Sequence, residues 1–226
     1  MNKINHKPAQ DIICDIAIRI DKQIKAALTY KEKKVALEGD TRLSTEYREG
    51  QIRTINDAYL KELQETRAFL VEKLEAVGTI EEELENILDF DIPELSETLA
   101  ALNTTQGKLP KEVIAGIRDK FKDNYQVMLT LAAALENQGY KLEDFGFDYY
   151  IHPASLILAQ MIDNASNIET SADSSFISLR DLFNAVIDFG EKRGMVFGET
   201  IKKLDERVAD VISDYLVHEA MGLPQR

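Results

Sequence analysis

The chain has 226 residues, of which 44% are hydrophobic and 30% charged, with 5 Pro, 11 Gly and no Trp. That length can bury a sizeable core, and so little Pro and Gly argues against long disordered or loop-rich stretches. The net charge of −13 is uneven: residues 1–78 hold 14 Lys and Arg against 13 Asp and Glu, and residues 79–226 hold 13 against 27, giving +1 and −14. So acidic a second part repels phosphate backbones and anionic membranes, so direct nucleic-acid or membrane binding is not expected.

The first predicted helix runs from about Pro8 to Glu38. Pro8 suits a first helical turn, where its missing N–H costs nothing. Ile13, Ile16, Ile20, Ile24 and Leu28 recur at three- and four-residue steps, and Val35 follows one heptad later. Such a narrow stripe resembles a coiled-coil seam more than a broad core face. Gly39, Asp40 and Thr41 interrupt it, and Ser44 or Thr45 can cap a second helix ending at Gly78. Its stripe is Ile52, Ile55, Tyr59, Leu63, Leu70, Leu74 and Val77, with Thr66 at one seam position. Residues 1–78 therefore read as a long helical hairpin, with one continuous helix through Gly39 as the competing arrangement.

From Thr79 onward the helices become shorter, which predicts a compact acidic multi-helix domain over residues 79–226. Thr79 caps a helix with Glu81, Glu82 and Glu83 in its first turn, and Ile80, Leu84, Ile87 and Leu88 inward. Asp91 to Glu94 start the next, with Leu95, Leu99 and Leu102 inward. Leu109-Pro110 opens a third with Val113, Ile114, Ile117 and Phe121, and Asp123 or Asn124 caps a fourth with Met128, Leu131, Ala132 and Leu135 that stops at Gly139. Residues 140–153 hold Tyr140, Phe145, Phe147, Tyr149 and Tyr150, either a core plug or a partner surface. Pro153 starts a helix carrying Leu156, Ile157, Gln160 and Met161, and residues 164–175 read as a polar loop. Ser178 to Asp181 resemble a capping box for a helix ending near Gly190, and a last helix spans about Glu199 to Met221. No strand pair is expected, so the fold class is all-α.

Candidate chemistry is sparse. The phosphate-cradling glycine loops, the H-E-x-x-H zinc motif and paired cysteines are all missing from the sequence. Asp210, Asp214 and His218 share one helical face and read as solvated charge rather than a metal set. His152 lies near Asp148 and Ser155 and reads as a turn residue. Cys14, the only cysteine, sits on the first helix flanked by Asp11 and Asp15, which oppose a thiolate. The expected catalytic, cofactor-binding and metal residues are therefore none, with no cofactor and no enzyme activity. With one cysteine and a polar N-terminus lacking an apolar signal core, the chain reads as cytoplasmic.

The run Ile92-Pro93-Glu94-Leu95, then Leu109-Pro110, Asp119 to Tyr125 and Gly139-Tyr140, resembles small helical structural proteins encoded with tailed-phage heads. A charged helical segment joined to a compact helical body is similar to scaffolding and head-accessory proteins. That resemblance implies an assembly role, with a virion as the alternative location, and transfers no site residue. Scaffolding proteins often end in a basic helix, whereas Asp205, Glu206, Asp210 and Asp214 outnumber Lys202, Lys203 and Arg207 here. The sequence thus reads as a non-enzymatic structural or assembly protein that pairs with itself or another protein through its 9–77 arm. The alternative is an acidic inhibitor or adaptor that binds a basic protein surface, as a nucleic-acid mimic does.

Overall fold

The computed structural model describes residues 6–85, 93–104, 109–122, 125–147, 154–204 and 206–208. Among them every regular element is helical. The elements are α1 (Lys7–Gly39), α2 (Thr45–Glu85), α3 (Pro93–Thr104), α4 (Lys111–Phe121), α5 (Tyr125–Asn137), a short 3-10 helix (Leu142–Phe145), α6 (Ala154–Ser166) and α7 (Ala172–Lys192). Residues 199–204 and 206–208 are also helical.

The chain forms two compact units, Lys7–Val77 with Ala159–Arg226, and Met1–His6 with Gly78–Leu158. One boundary between them falls between Val77 and Gly78. The segment from Ala159 onward, however, groups with the hairpin rather than with residues 78–158. The cause is the α1 stripe, which needs an apolar cover that α7 supplies.

In the hairpin unit, α1 and α2 run antiparallel. Tyr30 stacks on Tyr59 with ring centroids 5.0 Å apart, and Lys22 pairs with Glu62 at 3.3 Å. Ordinary capping chemistry makes the turn between them. The Asp40 carboxylate accepts from the Arg42 backbone N–H at 3.0 Å and from its guanidinium at 2.9 Å. Ser44 Oγ accepts the Tyr47 N–H at 3.3 Å as an N-cap, and Arg48 donates to the Glu38 carbonyl at 3.1 Å, satisfying an orphan acceptor at the end of α1. Helix α7 packs along α1, antiparallel to it. Tyr59 meets Ser175 at one end, and Gln10 Nε2 donates to the Val196 carbonyl at 3.0 Å at the other. Ala9, Ile13, Ile16, Ala17, Ile20, Ile24 and Ala27 of α1 are buried there, with Leu179, Leu182, Phe183, Val186 and Phe189 of α7. Asp21 fastens the 199–208 segment, accepting from Arg207 Nη2 at 2.5 Å.

In the second unit, Leu95, Leu102, Ile114, Phe121, Met128, Leu131, Leu135 and Phe147 form one core from α3, α4, α5 and the 3-10 turn. Tyr140 is buried and packs edge-on against Phe145 at 5.8 Å, and its hydroxyl accepts the Leu109 N–H. The described members of the aromatic stretch are thus core. Tyr149 and Tyr150 lie outside the described residues.

Several sequence expectations are corrected. Gly78 does not end α2, which continues to Glu85. A helix-interior Gly costs only about 1 kcal/mol, less than the next turn regains by packing. Glu81, Glu82 and Glu83 consequently lie near the C-terminus of a helix rather than in a first turn. Helix α7 begins at Ala172, so Ser178 is interior and the polar loop is short. The buried Ala172, Ser175 and Phe176 extend the α7 face one turn upstream. Val113 of α4 and Leu156 of α6 are 44% and 61% exposed; α6 buries Met161 together with Ala154, Leu158 and Ala165.

Candidate functional site

The described residues offer four polar or open features. The first is the distal end of the hairpin. From Leu28 to Ala58 no residue is buried, although Ala27 and Tyr59 on either side are. Helix α7 starts at the level of Tyr59, so it covers the hairpin base and stops there. Beyond it, Leu28, Leu37, Leu43, Ile52 and Ile55 are only half-buried, and Val35 and Tyr47 are about half exposed. Residues 28–58 hold six basic and six acidic side chains, a neutral stretch in a chain of charge −13.

The second feature is a polar layer inside the hairpin unit. The Tyr59 hydroxyl and Ser175 Oγ are 2.5 Å apart, and Ser175 also donates to the Ala172 carbonyl at 3.0 Å. Thr66 Oγ1 donates to Gln23 Oε1 at 2.8 Å and accepts from Arg19 Nε at 3.1 Å. Gln23, Tyr59, Thr66 and Ser175 are all buried. Arg67 Nε is buried without a hydrogen-bond partner. Burial pushes the Tyr59 hydroxyl above the usual phenol value of 10.0, and the bonds to Ser175 and Gln23 and the Arg67 charge work against that rise.

The third is a pair of buried carboxylates on the last turns of α2. Glu81 is fully buried, with its Oε1 2.9 Å from His6 Nδ1. Glu85, one turn on, accepts the Ala154 N–H at 2.9 Å. This second contact places a carboxylate on the first N–H of α6, where the helix dipole favours negative charge. From sequence Glu81 reads as a first-turn acid, and nothing singles out Glu85. Their spacing carried the missing signal, because Leu70, Leu74, Val77, Glu81 and Glu85 continue one helical stripe.

An open groove of about 470 Å³ also lies between α3 and α5, lined by Leu99, Asn103, Thr130, Ala134, Asn137 and Gln138. None of these side chains titrates, so the groove has no acid or base to offer. Among the described residues no group of three or more His, Cys, Asp or Glu could hold a metal ion. Cys14 is half-buried, and its thiol is pushed above the usual 9.0, first by burial and then by Asp11 and Asp15. His152, Asp210, Asp214 and His218 lie outside the described residues. No described helix is long and apolar enough to cross a membrane. No family model matches this chain, and neither a curated protein nor a solved structure matches it.

Proposed function

We propose that the chain is a non-enzymatic assembly protein that binds a second copy of itself, or another protein, through its helical arm, as structural proteins of phage heads do. The distal hairpin carries this reading: residues 28–58 form two helices with a half-buried apolar seam and no buried residue. Short helix pairs gain little stability alone and gain more by burying their apolar face against a partner. The rest of the arm's seam, from Ala9 to Ala27, is already covered within the chain, which narrows the contact to the distal part. Exposed Tyr47 and Val35 supply an aromatic and an aliphatic anchor, and the charge balance there removes the repulsion that the acidic remainder would impose.

Mass photometry and sedimentation over a wide concentration range test the self-association form. A concentration-dependent oligomer is expected, and V35E/Y47E should dissolve it without lowering the thermal midpoint. A strict monomer at high concentration refutes self-association. The net charge of −14 over residues 79–226 favours a second reading, an acidic adaptor or inhibitor for a basic protein surface. That reading requires salt-sensitive capture of a nucleic-acid-binding protein, and salt-insensitive capture removes it.

A further inference from the structure

We propose that Gln23, Tyr59, Thr66 and Ser175 act as a register lock, selecting the level at which α7 seats on the hairpin and so how much hairpin stays uncovered.

The apolar contacts alone specify that level poorly. The α1 face repeats Ile13, Ile16, Ile20 and Ile24, and the α7 face repeats Leu179, Leu182, Phe183 and Val186. On α1, a slide of one turn, about 5.4 Å, exchanges one isoleucine for the next. Apolar burial is non-directional and tolerates such a shift, and uniform cores are known to be weakly specifying. Hydrogen bonds are directional. Ser175 is fully buried near the start of α7, and Tyr59 of α2 is within reach of it in this register. One turn of slide separates them and breaks the hydrogen bond that ties the Tyr59 hydroxyl to α7. Gln23 and Thr66 tie α1 to α2 at the neighbouring level, so all three helices are referenced to one layer.

The layer is also imperfect, because the Nε of Arg67, next to Thr66 on α2, is buried with no hydrogen-bond partner. A group placed for maximal stability would not leave a buried donor unpaired. A single polar position that fixes alignment at some cost in stability is how helical bundles specify register. This inference does not depend on the assembly reading above; it concerns packing within one chain.

The experiment compares the full chain with Q23L/Y59F/T66V/S175A, which replaces the four polar side chains of the layer and leaves Arg19 in place, in a C14S background spin-labelled at I18C and I177C. Both label sites are exposed, at 50% and 40%, on α1 and α7. The parent should give one narrow distance distribution by double electron–electron resonance. The variant should remain helical, melt no lower than the parent, and show a broadened distribution or a second population displaced by about one helical turn. A single unshifted distance overturns the proposal. Loss of the folded state also overturns it, because the layer would then be a stabilising element. The milder Y59F/S175A should already broaden the distribution, and an unchanged width there counts against the lock as well.

Discussion

Removing the Glu85 carboxylate should strip the first turn of α6 of its acceptor. Glu85 Oε1 accepts the Ala154 N–H at 2.9 Å, and Ala154 is fully buried while Glu85 is 8% exposed. Water therefore cannot take over the bond in Glu85→Ala. A hydrogen bond to a charged group contributes about 1.5–3 kcal/mol, and an orphaned buried donor costs about 1–3 kcal/mol, two descriptions of one loss. A cost of about 2–3 kcal/mol follows, lowering the thermal midpoint by roughly 4–12 °C for a chain of this size. Glu85→Gln keeps an acceptor and forfeits only the charge at a helix N-terminus, a loss of about 1 kcal/mol. Urea denaturation followed by circular dichroism gives the global number. Amide exchange at Ala154 gives the local one, with protection in Glu85→Ala falling about 30- to 150-fold. If Glu85→Ala lies within about 0.5 kcal/mol of the parent, or matches Glu85→Gln, the carboxylate is not the cap that the geometry describes.

Three further outcomes are expected. Because the folded-state pKa of Tyr59 is raised above 10.0, its contribution to stability is fully present below pH 10 and is lost as pH rises through the raised value. The urea midpoint should therefore fall more steeply above pH 10 in the parent than in Y59F, and identical slopes would refute the assignment. The Cys14 thiol, likewise raised, should react with a disulfide reagent at pH 8 more slowly than in the urea-unfolded chain, and D11N/D15N should speed it, because both carboxylates oppose the thiolate. Gly190→Ala should destabilise by about 1–3 kcal/mol in chemical denaturation, although Ala is the better helix former. A Cβ there would sit 2.4 Å from Cζ of the buried Phe197 ring, and a neutral or stabilising result would show that the ring can move aside.

How much of this was legible in the sequence depended on range. The stripes from Ile13 to Ile24 and from Tyr59 to Val77 fixed helix identity, the hairpin and its Ser44 cap, because those signals lie within a few residues. Gly78 and Ser178 misled for the same reason. A local stop or cap signal contributes about 1 kcal/mol, and tertiary burial of the adjoining turn outweighs it. The pairing of α1 with α7 was not legible at all, since periodicity tells a helix which face is buried and not which partner buries it. That is why Ser175 read as loop and emerges as part of a buried layer. Glu81 and Glu85 were missed because residue type was weighted over position. Both continue an apolar stripe, and a carboxylate at such a position implies a dedicated donor.

The seating of α7 on the hairpin also sets a timetable for biosynthesis. Tyr59 and Ser175 are 116 positions apart, and Asp21 and Arg207 are 186 apart. At about 5–20 residues per second, the ribosome needs roughly 6–23 s after making Tyr59 before Ser175 exists. Throughout that interval the isoleucine row of the nascent arm lacks the cover that α7 supplies in the finished chain. Neighbouring ribosomes on one message would then display such rows side by side, and an arm able to pair between chains would have its first opportunity there.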